Sequence, residues 1–295
     1  MNLVNTWQGL ERASFFRESA FSLSRILQHR FFPVGFLLAV SLVLLMLWWP
    51  ALHYPIVSDT ALYALLGESF WKTGTYTVLG ELHGKHLPLH PILSYPFVAV
   101  FGYHIGMKVS TLVAGALVLV SLFMLLDRFF HRSVAVGGVL ALLFHHGFVM
   151  MTTLGSADLL LVLLFLLALL AYEHAREHPR LYIWAGVLAG LACLTRYNGI
   201  VLFPLFLLFT AWKRKEHLRS GWFWGGLLLG AGLFSLWFIR DALVFGDPLR
   251  NEYTGELRQR FLGIFRQPLV GIRYYLQPMS NVLPVLFILG LVGVW

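Results

Sequence analysis

Seven apolar runs of 13 to 20 residues follow one another along the chain, separated by polar linkers that hold most of its charge. A bilayer core of about 30 Å needs about 20 apolar residues of helix, and the first run, Val34 to Leu52, meets that length. Met107–Leu126, Val134–Met151, Leu154–Tyr172, Tyr182–Leu194, Gly199–Trp212 and Trp222–Ile239 follow, and an eighth run starts near Val282. Only 12% of the residues are charged, where soluble domains carry about 25%. With 58% hydrophobic residues, the pattern excludes a disordered chain, a secreted disulfide scaffold and an ordinary cytosolic enzyme. The single cysteine, Cys193, lies inside a run and has no partner for an intrachain disulfide. The expected fold class is all-α, a polytopic transmembrane helical bundle of about eight spans.

The net charge of +8 is distributed as a topology signal and not as a stripe facing nucleic acid. Residues 1–33 hold four Lys or Arg, 127–133 two, 173–180 two and 213–220 four, whereas 53–102 holds two, 152–153 none and 195–198 one. Basic residues favour the cytoplasmic side, so the amino terminus and those clusters are expected in the cytoplasm. The alternate segments then face the periplasm or its equivalent. The last of these, 240–281, carries six arginines, but long loops translocate regardless of charge. Residues 1–33 lack a cleavable leader pattern; their Phe and Leu residues suit an amphipathic helix on the inner leaflet.

The long outer segment 53–102 carries the first candidate chemistry. Ser58 or Asp59 can open a helix whose first turn favours a carboxylate. Leu62, Leu65, Leu66, Phe70 and Trp71 would form its apolar face, and Gly74 its end. The segment should therefore contain amphipathic surface helices. Glu81, His83, His86 and His90 have the donor types of a divalent-metal site, although Pro88 and Pro91 argue against helical His spacing; a cationic rim holding a phosphate suits them better. Asp158 opens a run, and an ionisable residue there is a functional candidate by default; the bland reading is a helix N-terminus with Ser156 as cap. Arg196 and Asn198 lie between two short runs, and Arg240 directly follows Ile239. His145–His146 are expected as a buried pair satisfied by neighbouring carbonyls. No Walker, GxGxxG or GxSxG sequence is present.

Four pieces in order resemble the GT-C superfamily of membrane glycosyltransferases, and within it the dolichyl-phosphate-mannose protein mannosyltransferase-like family that includes the aminoarabinose transferase and Rgt-type enzymes. Ser58-Asp59-Thr60-Ala61-Leu62-Tyr63 is similar to the family's first-loop acidic motif. His86-Leu87-Pro88-Leu89-His90-Pro91 is similar to its basic-Pro-Pro-Leu-Tyr segment. Asp158 stands where the family has an Asp, and Leu194-Thr195-Arg196-Tyr197-Asn198-Gly199 resembles a Leu-Thr-Lys-Tyr-Asn-Gly turn. Phe245-Gly246-Asp247-Pro248-Leu249 fits a frequent later segment. Thr60 replaces the usual Glu, and Leu87 and His90 replace Pro and Tyr.

The resemblance implies inverting transfer of a sugar from a polyprenyl-phosphate donor to a lipid, polysaccharide or protein acceptor, at the periplasmic or outer face of the inner (plasma) membrane. Asp59 would be the base, and Asp158 would hold the sugar or a cation. Lys85, His86 and Arg196 would bind the donor phosphate. Tyr63, Glu81, His90, Tyr197, Asn198 and Arg240 would line the cleft, with the lipid bilayer as setting and no nucleic acid as partner. No cofactor is implied beyond the divalent metal already considered. Relatives continue further, whereas Val282–Trp295 gives about 21 Å of helix, so a transmembrane core 34–295 without later helices or a soluble domain is expected. A non-catalytic GT-C-like subunit binding a lipid-linked sugar or partner is the alternative. A secondary transporter would need midplane charges and an internal repeat, and neither stands out.

Overall fold

The computed structural model describes residues 29–56 and 58–248. The chain divides into two units, Met1–Trp237 and Phe238–Trp295. The expected amphipathic amino-terminal helix, most of the 240–281 loop and the run from Val282 lie outside the described residues.

The fold is helical. The α-helices are α1 (Phe32–Trp48), α2 (Ser58–Thr73), α3 (Leu89–Phe129), α4 (Arg132–Leu143), α5 (His146–Leu154), α6 (Asp158–His174), α7 (Leu181–Thr195), α8 (Leu202–Lys213) and α9 (Gly221–Phe245). A two-stranded antiparallel hairpin, β1 (Thr77–Val78) and β2 (Glu81–Leu82), follows α2, with Val78 paired to Glu81. Helices stand at all seven apolar runs, but their lengths differ from even spans. Among the described residues, three segments are long and apolar enough to cross a bilayer alone: Phe32–His53, Leu89–Phe129 and Gly221–Phe245. Counting the bent pair α4–α5 as one broken span gives up to four. Helices α6, α7 and α8 are shorter, at 17, 15 and 12 residues.

Helix α3 is the centre of the first unit and packs against α2, α4, α5 and α6. Its 41 residues run as two helical segments, about 20 Å before Gly102 and about 40 Å after it at 1.5 Å per residue. Gly102 breaks it with φ 77° and ψ 167°. The helix starts well before the run expected at Met107. Pro91 does not prevent this, because the first-turn N–H that it lacks has no intrahelical acceptor.

The run Val134–Met151 is not one straight helix. Helices α4 and α5 bend by 61° at Phe144–His145, where His145 Nδ1 accepts from the backbone N–H of Phe148 at 3.3 Å. His146 is exposed, so the expected buried His145–His146 pair is replaced by one capping histidine. Helix α6 begins at Asp158 with Ala157 as a cap residue that makes no side-chain cap bond. Ser156, the expected cap, does not fill that place.

Two apolar clusters hold these helices. One joins α1, α3, α4, α5 and α6 through residues such as Leu44, Val118, Leu119, Val139 and Leu159. The other joins α6 to α9 through Ala168, Tyr172, Ala189, Leu202, Phe206 and Phe223. Helices α7 and α9 meet backbone to backbone: a Cβ at Gly186 would lie within the Gly226 carbonyl, and one at Gly190 against that of Gly230. Helix α2 turns Tyr63, Ala64 and Leu66 inward, while Phe70 and Trp71 remain 39% and 56% exposed. Its apolar face is thus rotated from the expected one. Glu68 bonds Lys72 at 2.6 Å and also Tyr103, and the lysine hydrogen bond foremost holds its carboxyl below the usual range.

Within the second unit, α9 ends at Gly246, whose φ is 71°. Arg240 Nη1 there donates to Asp241 Oδ1 at 2.5 Å.

Candidate active site

The amino-terminal ends of α2, α3 and α6 and the α7–α8 connection come together at one end of the first unit. Asp59 lies in the first turn of α2, where the positive end of the helix favours a carboxylate. Its side chain is 65% exposed, so an incoming molecule can reach it. His86, on the segment leading into α3, is buried, and its Nε2 lies 3.8 Å from Asp59 Oδ1. Tyr63, one turn after Asp59, meets His86 and His90 edge-on, each at 5.1 Å between centroids.

The His86 loop is itself fixed from below. Tyr76 donates its hydroxyl to the carbonyls of His86 and Leu87 at 3.0 and 3.3 Å. The Tyr76 ring also meets Trp237 at 5.5 Å. His83 and His86 stack with centroids 5.0 Å apart, and the His86 backbone N–H donates to His83 Nε2 at 3.2 Å. Lys85, between these two histidines, is half-buried.

A second charged pair completes the end. Arg196 Nη1 donates to Asp158 Oδ1 at 2.6 Å, and both side chains are about two-fifths exposed. At that exposure the pair contributes only about 0–1 kcal/mol to stability. One guanidinium nitrogen is engaged there, and the planar group carries five N–H donors. His90 stands between the two halves: its Nε2 donates to the Gly155 carbonyl at 3.0 Å, three residues before Asp158.

Among the proposed residues, Asp59, Tyr63, His86 and His90 thus form one contact set, and Asp158 with Arg196 another, linked through the Gly155 turn. His90 and Tyr63 are buried and frame the site from within; they do not form an open wall. Glu81 is exposed on β2. Tyr197 begins a 3-10 turn, Tyr197–Val201, and lies 6.1 Å from the Phe234 ring, while Asn198 is exposed. Arg240 belongs to the second unit. Among the described residues no group of three or more His, Cys, Asp or Glu is arranged to hold a metal ion.

The residue that sequence reasoning missed is Lys108. It is 1% exposed inside α3 and donates to the carbonyls of Ala51 at 2.6 Å, Leu52 at 3.4 Å and Tyr54. His104 joins it on the Leu52 carbonyl at 2.8 Å. These groups satisfy the end of the 3-10 turn Trp49–His53 that carries the chain from α1 towards α2. The available signal was a lysine one residue into an otherwise apolar run.

The opposite ends of α3, α6 and α8 carry a different set of pairs: Glu173 with Arg214, Glu177 with Arg128, and Asp127 with Arg132 at 3.2 Å. Arg214 also donates to the Tyr172 carbonyl at 3.0 Å. Each of these carboxylates is taken up by an arginine.

The sequence profile of the dolichyl-phosphate-mannose-protein mannosyltransferase family matches residues 85–239, just over half of the chain. The match includes Lys85, His86, His90, Asp158, Arg196, Tyr197 and Asn198, and starts after Asp59, Tyr63 and Glu81. No curated protein and no solved structure matches the chain.

Proposed function

The chain belongs to the dolichyl-phosphate-mannose-protein mannosyltransferase family, membrane glycosyltransferases of the GT-C type that use a lipid-linked sugar, and from that premise we propose that it moves a sugar from a polyprenyl-phosphate donor to an acceptor hydroxyl, with Asp59 as base. The observation that carries this reading is an exposed carboxylate at a helix N-terminus, 3.8 Å from a buried imidazole, on the same end of the unit as the Asp158–Arg196 pair.

The chemistry assigns each group a task. The acceptor O–H gives its proton to the Asp59 carboxylate while its oxygen bonds to the anomeric carbon. The bond from that carbon to the phosphate oxygen breaks, and the electron pair leaves on the polyprenyl phosphate. Attack opposite the leaving group inverts the anomeric centre. Charge grows on the departing phosphate, so cations placed there lower the barrier. Lys85, His86 when protonated, and the unengaged N–H groups of Arg196 are the groups for that role. Asp158 orients Arg196 and accepts hydrogen bonds from the sugar hydroxyls. The exposed apolar helix faces suit the polyprenyl tail and the bilayer. The distribution of basic residues supports a site on the periplasmic or outer face.

Lipid mass spectrometry of a deletion strain tests the proposal. Accumulation of a polyprenyl-phosphate sugar, reversed by the wild-type chain, is the expected result. Thr60 favours a second reading, since the usual second acid is replaced by a hydroxyl bonded to a carbonyl. A deletion strain with neither accumulated donor nor an under-glycosylated acceptor would favour that non-catalytic subunit over the enzyme.

A further inference from the structure

Helix α5 has only nine residues, and its last carbonyls have no acceptor role inside the helix. Side chains from three other helices satisfy them. The Thr152 carbonyl accepts from Trp48 Nε1 at 3.0 Å and from Thr111 Oγ1 at 2.8 Å. The Leu154 carbonyl accepts from Thr60 Oγ1 at 2.5 Å. The Gly155 carbonyl accepts from His90 Nε2 at 3.0 Å.

The last two contacts matter most for the site, because the turn they hold leads directly into Asp158. The Gly155 carbonyl only accepts, so His90 carries a hydrogen on Nε2, and Ser94 Oγ lies 3.3 Å from Nδ1 on the other side of the ring. Thr60 and His90 are 3% and 2% exposed, so both donor side chains are shielded from bulk water. Gly155 turns the chain with φ 68°, and a Cβ there would meet Thr60 Cγ2 at 2.5 Å and Met107 Cβ at 3.1 Å. Helix α6 then starts with no side-chain cap of its own. The turn is thus shaped from outside, by α2 and α3.

We propose that Thr60 and His90 are positioning residues that together set where the Asp158–Arg196 pair stands relative to Asp59, and hence how the donor is held. Thr60 adjoins Asp59 on α2, so one helical turn presents the base and anchors the opposing pair. This assignment rests on the transferase reading for its consequence in turnover, whereas its structural content is independent of it.

The test uses the full chain and two readouts. A thiol introduced by Ser156→Cys reports on the turn; the native Cys193 is completely buried and gives a low background towards N-ethylmaleimide. Thr60→Val and His90→Phe each remove one donor with little change in volume and should speed labelling about tenfold, the shift expected when one buried hydrogen bond of about 1.5 kcal/mol is lost. Thr60→Ser and His90→Gln retain an O–H or N–H donor and should restore the slow rate. In transfer assays the same losses should raise the donor KM and leave the acceptor KM unchanged. Unchanged labelling in folded Thr60→Val and His90→Phe would overturn the proposal, as would loosening that leaves the donor KM unmoved in an active enzyme. Labelling of the variants that responds as expected, alongside a wild-type chain that shows no transferase turnover, would uphold the hold on the turn and overturn the transferase reading.

Discussion

Lys108 illustrates how a buried cation is tolerated inside an apolar helix. Its ammonium donates to carbonyls of the Trp49–Tyr54 segment, so a helix-end acceptor set and a desolvated donor satisfy each other. An orphaned buried acceptor costs about 1–3 kcal/mol, and Lys108→Met orphans more than one. Thermal unfolding of that variant in detergent should show a lower midpoint than the wild type, and an unchanged midpoint would contradict the contact. Asp158 and Arg196 were legible as candidates because charge at the ends of apolar runs is conspicuous, and Asp59 because it stands in the Ser58–Tyr63 motif. The roles of Thr60, His90 and Lys108 were not, because each depends on which carbonyl the fold brings opposite. Thr60 and His90 stand at two places where the motifs carry other residues, and both bond to consecutive carbonyls of one turn. Hydropathy contains no record of that pairing.

Among the elements, the short helices are the clearest case where length and partner decide together. Helix α7 spans about 22 Å and α8 about 18 Å at 1.5 Å per residue, and the 3-10 turn Tyr197–Val201 lengthens the latter. The break between the two runs was legible because the polar residues Thr195–Asn198 interrupt them. Glycines let α7 approach α9 until the backbones touch at Gly186–Gly226 and Gly190–Gly230, the close packing that small residues give in membranes. Gly186→Val should therefore separate the helices and sharply reduce the yield of folded protein, read as the monodisperse fraction on size exclusion. Gly232→Ala, with open space at its Cβ, should behave as wild type. Equal yields for both variants would contradict the contact. The α4–α5 break was invisible in the sequence for a physical reason: residues on either side of His145 are equally apolar, and only the histidine cap and the 61° bend separate them. Likewise α3 reaches back to Leu89 because a proline in a first turn is no breaker.

For the molecule, the central claim joins a family to one end of its first unit. Membership is carried by residues 85–239, while the proposed base lies outside that stretch and gains its place from geometry: Asp59 is accessible, His86 is beside it, and Thr60 ties its helix to the turn before Asp158. The helical membrane class was legible from periodic apolar runs alone. The convergence of four chain segments was not, since it depends on α3 breaking at Gly102 and on α5 turning sharply at Gly155. The most direct measurement is sugar transfer from a polyprenyl-phosphate donor in membranes carrying Asp59→Asn, normalised to the amount of folded protein. Loss of the carboxylate's proton acceptor should cost about 10²–10⁴-fold in rate, with the donor KM little changed. Transfer by the folded variant at the wild-type rate would contradict the account.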